Sequence, residues 1–159
     1  MFFANNAYGK RTYIDDADPK QMYVCPVCKY PMIQKRGRIM THHFAHKSKV
    51  TCDPWYSGKM SAWHKEMQDL FPHHCQEIIV RDNEHGEYHI ADVVFKKNSK
   101  YYVVEFQHSA ISYDEFVART NFYMNQGYGM IWIFDFCSIS PQKTMYYTEI
   151  DDSDWIQVF

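Results

Sequence analysis

The chain of 159 residues carries 17 Lys and Arg against 19 Asp and Glu, a net charge of -2 with nine His left out of the sum. At 46% apolar and 18% aromatic it can bury a core, which excludes a disordered or collagen-like chain. Its length suits one compact domain, or a small module joined to one modest domain.

The small net charge conceals an asymmetry. Residues 1–60 hold 10 basic and 4 acidic side chains, a balance of +6, whereas residues 61–159 hold 7 and 15, a balance of -8. A near-neutral average therefore does not exclude a nucleic-acid partner. No apolar run reaches membrane-spanning length, the longest lying around Gly129–Phe134. The start, Met1–Asn6, has neither the basic n-region nor the apolar h-region of a signal peptide. Five Cys, at 25, 28, 52, 75 and 137, without an export signal read as reduced thiols or metal ligands. A cytoplasmic location with no membrane partner is the expectation.

Residues 1–22 are polar and rich in turn formers. Tyr23–Cys28 then opens a short knuckle, followed by the basic Lys29, Lys35, Arg36 and Arg38, with Gly37 marking a turn. Asp53–Gly58 has the composition of a linker, which predicts a boundary between a module of residues 1–57 and a core of residues 58–141. In Ser61–Phe71, Trp63, Met67, Leu70 and Phe71 share one face at helical spacing, and Pro72 stops the run. His64 sits at the edge of that face. Strands are predicted at Cys75–Arg81, Glu87–Lys96 and Lys100–Gln107, the last two joined by the polar hairpin loop Lys97–Ser99. Ser112 with Glu115 forms a capping box for a helix running to about Asn125, with Gly127 past its end. Phe116, Val117, Thr120, Tyr123 and Met124 are its expected buried face. Met130–Phe134 reads as a strand buried on both sides, and residues 142–159 as an acidic extension. The fold class is therefore α/β, with a mixed sheet built from helix, three strands, helix and strand.

Two constellations carry chemistry. Cys25 and Cys28 bring two thiols onto one tight turn, and His42, His43, His46 and Cys52 follow within reach. Four donors from Cys25, Cys28, His43, His46 and Cys52 suit a tetrahedral zinc ion, with His46 the first choice among the later ones. Metal binding would help so short a segment to fold. In the second constellation, Asp92 stands among Ile90, Ala91, Val93 and Val94, and Glu105 midway along an equally apolar strand. Burying a carboxylate is costly unless it is paired or coordinated. Two acids on neighbouring strands can jointly hold a hard cation such as Mg²⁺; the alternative is an ion pair with Arg119.

These residues resemble a known family. His89–Val93 containing Asp92, Glu105–Ser112, Arg119 with Phe122–Tyr123, and Ile131–Ile133 are similar to the competence protein CoiA-like family. So are Ser61–His64 upstream and the Cys25-Pro26-x-Cys28 … His43–His46 elements, and the resemblance spans roughly residues 22–135. The family looks like a branch of the PD-(D/E)xK nucleases, with a restriction-endonuclease-like αβββαβ core behind a zinc-finger-like segment. The resemblance implies a DNA nuclease dependent on Mg²⁺ or Mn²⁺, acting in DNA processing; a homo-oligomer or a DNA-processing partner protein is a further expectation. Asp92 and Glu105 would be metal ligands, joined by the backbone carbonyl of Phe106. Gln107 stands where that superfamily usually has Lys; an amide can orient water but supplies no positive charge. Glu77 would be an auxiliary acid and His64 a further site residue. At Gln68 the sequence departs from the family pattern, which tends to show Lys. The second reading is a zinc-containing DNA-binding accessory protein with weak or no catalysis.

Overall fold

The computed structural model describes residues 1–48, 50, 52–56 and 61–135, divided into two units, Met1–Glu66 and Met67–Phe159. The acidic extension expected at 142–159, and Cys137, lie outside the described residues.

The first unit is an antiparallel sheet of β1 (Phe3–Asn6), β2 (Arg11–Tyr13), β3 (Tyr23–Val24), β4 (Pro31–Lys35) and β5 (His43–His46). Spatially the strands run β2-β1-β3-β4-β5. The polar, turn-rich reading of residues 1–22 described only part of them. Asn6 does build a turn, its Oδ1 accepting the Tyr8 and Lys10 N–H groups at 3.0 Å, and Gly9 takes φ +77°. The flanking residues, however, are core: Phe2, Phe3, Ala4, Tyr13 and Ile14 are buried. Phe3 meets Tyr13 and Tyr23 meets Phe44, each pair with centroids 5.0 Å apart. Large rings let few residues bury much area, so this small unit has an aromatic core besides its Cys/His knuckle. Phe44 belongs to that core and cannot double as a platform for stacked bases.

The second unit follows the order read from the sequence. The boundary between the units falls within α1 (Ala62–Asp69), and after it come β6 (Gln76–Arg81), β7 (Tyr88–Lys97), β8 (Lys100–Gln107), α2 (Tyr113–Asn125) and β9 (Gly129–Phe134). The sheet runs β6-β7-β8-β9, antiparallel except for β8 and β9, which are parallel and joined across α2. Asn98 and Ser99 both adopt positive φ in the β7–β8 turn, as a tight hairpin requires. Ser112 Oγ caps α2 by accepting the Glu115 N–H at 3.2 Å. The Glu115 carboxylate accepts from Arg119 at 2.5 Å.

Two faces differ from expectation. On α2 the buried set is Phe116, Thr120, Phe122 and Tyr123, while Val117 and Met124 are half-buried. Phe122 is drawn in by His89, whose ring meets it edge-on at 4.6 Å. On α1 the buried side chain is Gln68, and Leu70 is exposed. The helix ends at Asp69, so Leu70 no longer follows its period, and Gln68 is tolerated inside because it is hydrogen-bonded. Among the described residues no helix is long and apolar enough to cross a membrane.

Gly129 opens β9 directly opposite Tyr102, where a Cβ would stand 2.6 Å from the Tyr102 ring. That ring is itself stacked on Phe95 at 5.5 Å and has little room to yield. Gly129→Ala is therefore expected to cost about 1–3 kcal/mol in urea unfolding. In a Tyr102→Ala background most of that cost disappears, which a double-mutant cycle measures.

Candidate functional site

Strand register creates the carboxylate site. The β7–β8 ladder runs from Lys97↔Lys100 to Val93↔Val104, and one further step sets Asp92 opposite Glu105. There side chains take over from the backbone ladder. Glu105 Oε1 accepts the Asp92 N–H at 3.3 Å, and Asp92 Oδ2 accepts the Phe106 N–H at 2.9 Å. Each acid thus satisfies a backbone donor on the other's strand. Both are buried, at 5% exposure for Asp92 and 4% for Glu105.

The two helices complete the surroundings. From α1, Gln68 Nε2 donates to Asp92 Oδ1 at 3.3 Å. From α2, Arg119 Nη1 approaches Glu105 Oε2 at 3.4 Å and the Tyr123 hydroxyl donates to Glu105 Oε1 at 3.2 Å. Gln68 and Tyr123 were not singled out as site residues in the sequence. The sequence marks Gln68 only as a departure from the family pattern and Tyr123 only as part of a buried helix face; helical spacing from Arg119 is the available signal for Tyr123. The two acids converge, and Glu105 is also ion-paired with Arg119.

Arg119 reaches both Glu105 and Glu115. Burial holds the Glu105 carboxyl well above its ordinary range, and the neighbouring Asp92 raises it further. Arg119, the Asp92 N–H and Tyr123 pull the other way without reversing the shift.

The remaining expected residues are placed as follows. Glu77 lies on β6 opposite Asp92, 3% exposed, with φ +44°. It does not join Asp92 and Glu105 in a three-donor cluster among the described residues. Gln107 ends β8 and donates its Nε2 to the Ser109 carbonyl at 2.6 Å. His64 lies in the first turn of α1, its N–H on Ser61 Oγ at 3.1 Å, within the first unit.

In the first unit, Cys25–Lys29 forms the knuckle between β3 and β4. The Cys25 N–H bonds to Tyr30 O at 2.9 Å, the Lys29 N–H to Cys25 O at 3.1 Å, and Lys29 turns the chain at φ +61°. Cys25, Cys28, His46 and Cys52 present four donor atoms within 4.8 Å of one another. Cys25 Sγ and Cys52 Sγ are 3.8 Å apart, and Cys28 Sγ and His46 Nε2 3.3 Å. Zinc–sulfur bonds of about 2.3 Å in tetrahedral geometry place sulfurs about 3.8 Å apart. The donor set therefore fits, and the cluster can hold a metal such as zinc.

Of the five expected zinc donors, His43 stands outside the cluster. It lies three residues before His46 on β5, and an odd spacing on a strand directs side chains to opposite faces. It is buried, with Nδ1 2.7 Å from the Thr41 carbonyl. His42, also considered, is instead 3.7 Å from Asp15. Burial lowers the His46 pKa, which keeps a ring lone pair free of protons. Burial raises the Cys25 thiol, and burial together with Cys25 pushes Cys52 up to about 12. Zinc must displace these protons.

Glu105 gives a pH prediction with a definite sign. Its folded-state pKa is raised, so its contribution to stability is present below the ordinary Glu range and declines as pH rises through it toward the folded value. Chemical denaturation of zinc-loaded protein, without other divalent ions, is expected to show stability falling as pH rises above about 4.5. In Glu105→Gln that fall is lost. For the Cys/His cluster, elemental analysis is expected to find about one zinc per chain. Cys28→Ser is expected to lose it and His43→Ala to keep it, with zinc binding weakening as pH falls.

Two family models match the chain. Residues 88–158 match the competence protein CoiA, nuclease-like domain, and residues 8–54 match the competence protein CoiA, N-terminal domain. The comparison with curated proteins gives no match. The first match takes in Asp92, Glu105, Arg119 and Tyr123, and the second takes in Cys25, Cys28, His46 and Cys52. With its Cys/His knuckle and its paired acids each inside one of these matches, the chain belongs to the competence protein CoiA family.

Proposed function

We propose that the chain is a metal-dependent DNA nuclease of the PD-(D/E)xK type, with the nuclease-like residues as its catalytic core. The carrying observation is the convergence of Asp92 and Glu105, two acids buried side by side on neighbouring strands. Such proximity is relieved either by a proton on Glu105 or by a cation held between the acids. A divalent ion such as Mg²⁺ or Mn²⁺ would acidify a water molecule and offset charge on a scissile phosphate. Asp92 and Glu105 would hold it with the Phe106 carbonyl, while Tyr123, Arg119 and Gln68 orient the acids. Gln107 would orient the attacking water through its amide oxygen, its Nε2 being given to Ser109. Glu77 would be an auxiliary acid, and His64 is kept as a further candidate site residue.

The module of residues 1–57 is assigned to structural zinc and to DNA. Its balance, +6 over residues 1–60, favours phosphate contacts. Tyr30 is exposed and Trp55 and Tyr56 are half-buried, and their rings are assigned to base contacts.

A second reading, a DNA-binding accessory protein with weak or no cleavage, draws support from Arg119, which already occupies part of the Glu105 carboxylate. One experiment separates them. Purified protein is incubated with linear, nicked and single-stranded DNA in Mg²⁺, in Mn²⁺ and without divalent metal. The nuclease reading expects metal-dependent cleavage that falls at least 100-fold, on the order expected for loss of an essential site group, in Asp92→Ala and Glu105→Ala. Binding without cleavage under every metal overturns it in favour of the accessory role.

A further inference from the structure

The loop between β4 and β5 combines a fixed base with an apolar tip. The closing pair of the hairpin is Lys35↔His43, leaving Arg36-Gly37-Arg38-Ile39-Met40-Thr41-His42 as the connection. Both stems are tied to the Ile14–Ala17 segment. Arg36 Nη2 donates to the Ile14 carbonyl and, at 2.8 Å, to the Ala17 carbonyl. On the other side His42 Nδ1 lies 3.7 Å from Asp15, and His43 Nδ1 2.7 Å from Thr41 O.

Between these anchors the tip makes the opposite choice to the rest of the unit. Ile39 is 100% exposed and Met40 60% exposed, although burying an aliphatic side chain is worth about 1.5–3 kcal/mol. Single exposed apolar residues are ordinary. Two adjacent ones at the apex of a braced loop, beside the exposed cations Lys35 and Arg38, are not explained by packing. Side chains such as Ile and Met are the ones that wedge between base steps, and neighbouring cations hold the flanking phosphates.

We propose that Ile39 and Met40 form a wedge that enters a base step of a nucleic-acid strand, with Arg38 and Lys35 on the adjoining phosphates. The charge of the module selects this occupant over a protein groove, since +6 over residues 1–60 complements phosphate. The assignment rests on DNA as the partner, but not on cleavage. The braced base matters because a floppy loop would lose the gain of insertion to its own ordering. Arg36 is thus a positioning residue for the tip rather than a phosphate contact.

The test uses the full chain loaded with zinc, with Ca²⁺ in place of Mg²⁺, and a DNA duplex carrying 2-aminopurine at successive positions. Wild-type protein is expected to raise 2-aminopurine fluorescence several-fold at one step on binding. Ile39→Ser/Met40→Ser is expected to abolish the rise and weaken binding about tenfold, with the melting temperature little changed because Ile39 is fully and Met40 mostly exposed. Arg38→Ala is expected to keep the rise while lowering the slope of log affinity against log salt by about 1.

The proposal is overturned if wild-type protein binds without brightening the probe, or if the double serine variant brightens it equally. It also falls if the double variant converts a dimer to a monomer without affecting DNA, which would make the tip a self-contact. Asp92→Ala separates the two ideas. Loss of cleavage with the fluorescence rise intact supports both, whereas a rise from a chain that never cleaves retains the wedge and discards the nuclease.

Discussion

Two carboxylates buried side by side impose the strictest constraint on this protein. An ionised acid moved out of water costs several kcal/mol even after relaxation, and Asp92 and Glu105 incur that cost together. The fold meets it by letting each acid serve the backbone of the other's strand, through the Asp92 and Phe106 N–H groups. The hairpin ladder ends at Val93↔Val104 for this reason: beyond that pair, side chains do what backbone groups do elsewhere. Both helices are then needed. Gln68 from α1 holds Asp92, and Arg119 with Tyr123 from α2 holds Glu105. A shift of either helix would leave a buried carboxylate short of donors.

The same constraint explains an oddity of α1. A buried Gln in a helix is unfavourable unless its amide is used, and Gln68 Nε2 donates to Asp92 while the Gln68 backbone carbonyl accepts Gln76 Nε2 at 2.8 Å. Gln76 also bonds the Phe71 carbonyl at 2.7 Å, closing the end of the helix. Polar residues that look misplaced along the sequence are thus the supports of the acid pair.

The first unit solves a different problem. Its five short strands bury little aliphatic surface, and stability comes from rings and from a knuckle that gathers three sulfurs and one imidazole. The rings fix the strands, and the strands fix the donors. His46 ends β5 opposite Met32, and the Cys25–Lys29 turn links β3 to β4. The donor geometry is consequently a property of the sheet as much as of the Cys spacing.

Much of this was legible in the chain itself. Alternation and turn chemistry determined the three strands, the capped helix α2 and the last strand, because those patterns are local. Composition marked the charge asymmetry, and residue type marked Asp92, Glu105 and the Cys/His set as costly or metal-loving. Residues 3–13 were less legible, since two strands of three and four residues are too short to show a period and their partners are distant in sequence. The sequence put His46 first among the later donors, and it joins the thiols; tertiary structure decided that His43 turns away from them, because strand phase separates the two. It alone decided that Gln68 and Tyr123 converge on the acids, and that Arg119 reaches one of them. Local pattern says which residues cannot be left in water or oil; only the packing of distant elements says which of them meet.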